Sequence, residues 1–107
     1  MNHQHILDEL YQVILSRKEA TPESSYTAAL LHKGVDKILK KVGEEATEVV
    51  IAGKGGSDHD LIHESADLCY HLLVLLAARD VPADAVWSEL ARRFGTSGIA
   101  EKAARTE

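Results

Sequence analysis

The chain has 107 residues, 45% of them hydrophobic and 27% charged, with a formal net charge of −5 and one cysteine. That length suits a single domain, 1–107, whose modest core would gain from association with a second copy. The acidic balance lacks the basic stripe of a nucleic-acid binder, and a lone cysteine rules out an intramolecular disulfide or a cysteine-rich zinc site.

Ile6, Leu10, Val13 and Ile14 recur at helical spacing, with Leu7 beside them, and predict a helix over about His3 to Glu19. The polar Ala20–Ser25 stretch breaks it. Before it, Met1 to Leu7 lacks the basic and then apolar pattern of a signal peptide, so a cytoplasmic protein is expected. Ser25 is placed to cap a short helix over Tyr26–His32, and Gly34 to end it. A long helix follows over Val35–Gly53, with Val35, Ile38, Leu39, Val42, Ala46, Val49 and Val50 as its apolar stripe. Gly55, Gly56 and Ser57 form a turn, with Ser57 or Asp58 as the next N-cap. Another long helix runs over Asp58–Arg79. Pro82 fits the first turn of a further helix that ends near Phe94–Gly95, with Trp87 and Phe94 on its core face. A short helical stretch, Ile99–Arg105, closes the chain. No segment alternates with period two. The expected fold is all-α, an antiparallel bundle of four to five helices joined by short turns.

The Asp58–Arg79 helix is apolar around its whole circumference, from Leu61 and Ile62 through Leu68, Cys69, Tyr70 and Leu72 to Leu76. Such a helix is expected to be buried on all sides. One short chain has too few helices to surround it, so a homodimer is expected, with Cys69 as a buried, inert thiol. The apolar run Leu68–Ala78 contains His71 and is too short to span a bilayer, so no membrane is expected as a partner.

Glu64 and Asp67 lie on that apolar helix, about 60° apart by the helical period. Two ionised acids in such surroundings must be protonated, paired or bound to metal. On the preceding helix Glu44, Glu45 and Glu48 form Glu-Glu-x-x-Glu, within an arc of about 100° by the same period. The short turn makes the two helices adjacent and antiparallel. Counted outward from it, Glu48 and Glu64 stand at similar heights, as do Glu44, Glu45 and Asp67. Five converging carboxylates repel one another unless a divalent cation supplies the opposite charge. Hard oxygens alone favour Mg²⁺ or Mn²⁺ over zinc. Taken by themselves, Glu44, Glu45 and Glu48 would also suit a solvated helix face with Lys40 and Lys41 as ion-pair partners.

The stretches Lys41 to Ala52 and Glu64 to Leu76 closely resemble the phosphoribosyl-ATP pyrophosphatase family. That family belongs to the all-α nucleotide pyrophosphohydrolases, which include MazG-like enzymes. The carboxylate pattern alone identifies only this superfamily. Ser25 to Leu31, Gly34, Lys37–Ile38 and the closing segment Arg93 to Lys102 narrow the resemblance, which covers nearly the whole chain. It implies hydrolysis of phosphoribosyl-ATP to phosphoribosyl-AMP and pyrophosphate, the second step of histidine biosynthesis. With one cysteine and no spare length, the chain resembles the free-standing enzyme rather than a fusion with the next enzyme of the pathway.

Cleavage of the α–β phosphoanhydride gathers negative charge that bound metal neutralises. Glu48 or Glu45 is the expected general base. Lys37 and Lys41 share the glutamate sector and are candidate phosphate contacts. Arg17, Ser25, Tyr26, Arg93, Ser97, Lys102 and Arg105 are weaker substrate-binding candidates. His71, four residues beyond Asp67, fits a satisfied core histidine, and His59 and His63 are expected to face solvent, away from Glu64 and Asp67. A pyrophosphohydrolase of free nucleoside triphosphates would share this metal site. A di-iron bundle would need Glu-x-x-His, which neither acidic helix has. A non-catalytic dimerisation module gives no reason to bury Glu64 and Asp67.

Overall fold

The structure is a computed structural model that describes residues 5–95 and position 102. Within residues 5–95 five α-helices form in chain order: α1 (Ile6–Ser16), α2 (Tyr26–Lys33), α3 (Val35–Gly55), α4 (Asp58–Ala78) and α5 (Ala83–Arg92). Three 3-10 turns accompany them: Arg17–Glu19, Pro22–Ser24 and Arg93–Gly95. No strand occurs among the described residues, so the fold is all-α.

Local chemistry sets the boundaries. Ser25 accepts a hydrogen bond from the Ala28 N–H and caps α2. Gly34, at φ +100°, makes the bend into α3 that a side chain would strain. Ser57 and Asp60 form a reciprocal capping box at the start of α4. A Cβ on Gly56 would meet the Ala52 carbonyl oxygen at 2.9 Å, so the turn between α3 and α4 requires glycine there. Pro82 is the residue before α5 rather than its first turn.

The α4 end is a Schellman closure. Val81 N–H donates to the Leu76 carbonyl and Asp80 N–H to that of Ala77, with Asp80 left-handed at φ +57°. Two side chains of the first segment clamp it. Tyr11 donates its hydroxyl hydrogen to the Val81 carbonyl at 2.6 Å, and Lys18 Nζ reaches the Ala77 carbonyl at 2.8 Å and Asp80 Oδ1 at 2.6 Å.

The long α3–α4 hairpin is the frame, and α1, α2 and α5 pack near its far end. There the core forms around Tyr11, Ile14, Leu30, Ile38, Leu73, Val74 and Ala77. Ile14, Ile38 and Val74 are fully buried. The turn end of the hairpin stands clear of this core, and Val50, Ile51 and Ile62 are exposed there.

Within one subunit α4 keeps an uncovered side, as expected of a chain with too few helices to surround it: Leu61, Ile62 and Leu72 are exposed. Two sequence expectations fail there. Cys69 is exposed rather than buried, on a side of α4 that α1 and α5 flank without closing over it. An apolar groove of about 330 Å³ runs along that side, between Leu7, Cys69, Leu72, Leu76, Trp87 and Leu90. Phe94 is 90% exposed, beyond the end of α5, whereas Trp87 packs against the core and donates its indole N–H to Asp8 at 2.8 Å. By length and composition the whole 21-residue α4 is sufficient to cross a membrane, although the shorter Leu68–Ala78 run is not. It is nonetheless packed against α3 and carries Asp58, Asp60, Glu64 and Asp67.

Candidate active site

The helical period of α3 turns Glu44, Glu45 and Glu48 toward one side, and the tight Gly56–Ser57 turn brings α4 back alongside. Glu48 and Glu64 line one open groove of about 370 Å³, together with Ile51, Ala52, Gly55, Gly56 and Asp60. Asp67, one turn beyond Glu64, meets His63, whose Nε2 lies 3.5 Å from Asp67 Oδ2. Ligand atoms of His63, Glu64 and Asp67 all lie within 4.8 Å of one another. Among the described residues this is the one cluster so tight, and the three α3 glutamates stand outside it. His63 is exposed as expected, but it does not project away from the acids. The i,i+4 relation to Asp67 places it beside that carboxylate.

Burial is distributed differently from the sequence expectation. Glu45 is the buried acid, its side chain 11% exposed, whereas that of Asp67 is 40% exposed. Lys41 accounts for a charge at that depth. Its Nζ lies 3.3 Å from Glu45 and 3.6 Å from Glu44. The hydrogen bond to Glu45 pushes the Lys41 ammonium above its usual range, against the opposing effect of burial. Lys37 is exposed.

A second network sits beside these acids. His71 is 5% exposed; its Nδ1 is 2.8 Å from the Asp67 backbone carbonyl and its Nε2 2.8 Å from the Tyr26 hydroxyl. Both ring nitrogens have partners, as a core histidine requires. Tyr26 and Tyr70 each meet the His71 ring edge-on, at 5.8 and 5.5 Å between centroids. Thr27 and Tyr70 join hydroxyl to hydroxyl. Burial pushes the Tyr26 phenol above its usual range; Lys41 opposes this, while Glu45, Asp67 and Glu44 add to it. Tyr26 thus lies within electrostatic reach of acids from both long helices. The sequence offered one signal for this network, the i,i+4 spacing of Asp67 and His71.

Of the weaker candidates, Tyr26 belongs to this network and Ser25 caps the helix that carries it. Arg17 follows α1 on an exposed 3-10 turn, within electrostatic reach of Tyr70. Arg93 is held by Glu89, 3.1 Å from its Nε, in an ion pair that also includes Arg92. Lys102 is exposed. Ser97 and Arg105, and the Ile99–Arg105 stretch apart from Lys102, lie outside the described residues, as does the expected start of α1 at His3.

An acid-lined groove between two antiparallel helices of an all-α fold is the arrangement expected of a helical pyrophosphohydrolase. The sequence profile of phosphoribosyl-ATP pyrophosphohydrolase matches residues 7–94, and the chain belongs to that family. It is 84% identical over 106 residues to a phosphoribosyl-ATP pyrophosphatase of Trichlorobacter lovleyi, covering 99% of this chain and 98% of the relative. A phosphoribosyl-ATP pyrophosphatase of Geobacter sulfurreducens is 67% identical over 103 residues, covering 95% and 94%. One from Neisseria meningitidis is 55% identical over 102 residues, covering 95% of each. The chain is accordingly a hydrolase.

Proposed function

We propose that this protein hydrolyses phosphoribosyl-ATP to phosphoribosyl-AMP and pyrophosphate, and that Glu44, Glu45, Glu48, Glu64 and Asp67 hold Mg²⁺ for the reaction. Full-length similarity to relatives named for this substrate carries the choice of substrate. The groove shared by Glu48 and Glu64 carries the choice of site.

The donor set fits the cation. Carboxylate oxygens suit Mg²⁺, with Mn²⁺ as a substitute. His63 beside Asp67 supplies an orienting partner rather than a required ligand. When bound, the cation neutralises charge on the phosphate oxygens. The protein's own residues do the rest. Glu48, in the open groove, or Glu45 accepts the proton of the attacking water. Lys41, held by Glu44 and Glu45, is a phosphate contact that turns from them when substrate arrives. Lys37, Arg17, Arg93, Ser97 and Lys102 are further phosphate or ribose contacts.

The apolar groove beside Cys69 and Leu72 supports a homodimer, since a face of that composition is stabilised when covered. Leu72→Glu should yield a monomer by sedimentation at micromolar concentration, and a wild-type protein already monomeric there would remove the dimer. We place the enzyme in the cytoplasm as a single domain, 1–107, with no nucleic-acid or membrane partner. Removing divalent metal with a chelator should stop pyrophosphate release, and Mg²⁺ should restore it. Undiminished release in chelator would remove the metal from the proposal.

A further inference from the structure

The Tyr26–His71–Asp67 chain has a fixed direction. A carbonyl oxygen can only accept, so His71 Nδ1 donates its hydrogen to the Asp67 backbone at 2.8 Å. In the neutral ring Nε2 is then an acceptor, and the 2.8 Å contact to Tyr26 is filled by the phenol's hydrogen. Tyr26 has one hydrogen, and His71 takes it. What the phenolic oxygen offers outward is a lone pair.

The ring is placed to use it. Tyr26 is 54% exposed, although its hydroxyl is held by a histidine that is 5% exposed. Its neighbour Thr27 is tied to Tyr70, so consecutive residues of α2 are fastened to consecutive residues of α4. The hydroxyl stands one imidazole away from the Asp67 backbone, within electrostatic reach of Glu45, Asp67 and Glu44. A phosphate oxygen has no hydrogen to give and would meet this lone pair unfavourably. The part of a nucleotide next to the scissile phosphates that carries O–H donors is the ribose.

We propose that Tyr26 binds a ribose hydroxyl of the nucleotide through its phenolic oxygen, and that His71 is a positioning residue which sets the direction of that hydrogen bond. This rests on reading the carboxylates as the phosphate end of the same site. Tyr26 would thereby select ribonucleotides over the matching deoxynucleotide without touching the leaving pyrophosphate.

The test uses calorimetric binding of AMP, 2′-deoxy-AMP and 3′-deoxy-AMP to the full chain, with helix content checked by circular dichroism. Tyr26→Phe should weaken AMP about fivefold to tenfold, the worth of one neutral hydrogen bond. It should leave unchanged the affinity for the one deoxynucleotide that lacks the bonded hydroxyl. His71→Leu should weaken AMP to a similar extent, Tyr26→Phe should add nothing in that background, and His71→Gln, which restores an acceptor, should recover most of the loss. Wild-type AMP affinity in Tyr26→Phe would overturn the proposal. So would an equal loss for AMP and both deoxynucleotides, or a lowered kcat with KM and AMP affinity unchanged, which would put Tyr26 on the attacking water. The carboxylate reading fails separately, by full activity in Glu48→Ala and Asp67→Ala.

Discussion

Glu45 of α3 and the two acids of α4 sit in opposite environments from those their sequences suggest, whereas Glu44 and Glu48 are exposed as a polar stretch implies. On α3, Glu44, Glu45 and Glu48 belong to a polar stretch, yet Glu45 is buried and held by Lys41. On α4, Glu64 and Asp67 lie in an apolar stretch, yet both are only partly buried and have exposed His63 beside them. The difference teaches that a helix can be apolar around its circumference and still carry its acids at an open edge. What matters is which neighbours the turn and the short helices supply. Among the described elements, α4 packs along α3, and α1, α2 and α5 join it around the core at Leu73, Val74 and Ala77. The same contrast separates their charge balance. Glu44 and Glu45 have a lysine in place, whereas the α4 acids have a histidine and each other, and so have more to gain from a cation.

The largest test of this contrast removes one acid from each helix. Glu48→Ala and Asp67→Ala should each lower kcat for pyrophosphate release about a thousandfold, since the several kcal/mol of charge stabilisation at stake is tenfold per 1.4 kcal/mol. Circular dichroism should remain that of the wild type. A large loss from one helix and none from the other would confine the site to a single helix.

Next comes His63. If it orients Asp67, His63→Ala should weaken Mg²⁺ binding about tenfold to a hundredfold by titration calorimetry. Unchanged affinity would make the 3.5 Å contact incidental.

Lys41 sharpens the comparison from the other side. Lys41→Ala leaves Glu45 buried without its cation and should cost about 1–2 kcal/mol in chelator, less than a fully buried pair because Lys41 is partly exposed. Mg²⁺ should recover more of the melting temperature in this variant than in the wild type, by linkage to binding. Equal recovery would mean that Glu45 takes no part in holding metal.

The smallest effect belongs to an acid with no place in the groove. Glu89, exposed and paired with Arg92 and Arg93, is lowered to about 2. Its folded value lies below its ordinary 4.5, so any stability it adds is present above that pH and is lost as pH falls through about 2. Glu89→Gln should move the melting temperature at pH 7 by no more than about a degree or two, as for other exposed pairs.

Much of the fold is written in short-range signals. Ser25, Gly34, Gly56 and Ser57 mark where α2, α3 and α4 begin and end, because caps and turns depend on neighbouring residues alone. The acidic motifs were visible for the same reason. Burial was not, since it depends on which elements pack together. Periodicity assigned Cys69 and Phe94 to a core, and both are exposed. The Lys18 and Tyr11 clamp on the end of α4 spans about sixty to seventy residues of sequence, and no local pattern marks it. Tyr26 and His71 are likewise 45 positions apart; each is unremarkable until α2 lies across α4.

The central claim is that the carboxylates of both long helices serve one metal-dependent cleavage of phosphoribosyl-ATP. The direct measurement is pyrophosphate release from phosphoribosyl-ATP, ATP and dCTP at equal concentration, each with Mg²⁺ and with chelator. The account predicts rapid release from phosphoribosyl-ATP, much slower release from ATP and dCTP, and none in chelator. Equal rates on all three nucleotides, or release from phosphoribosyl-ATP that persists in chelator, would contradict it.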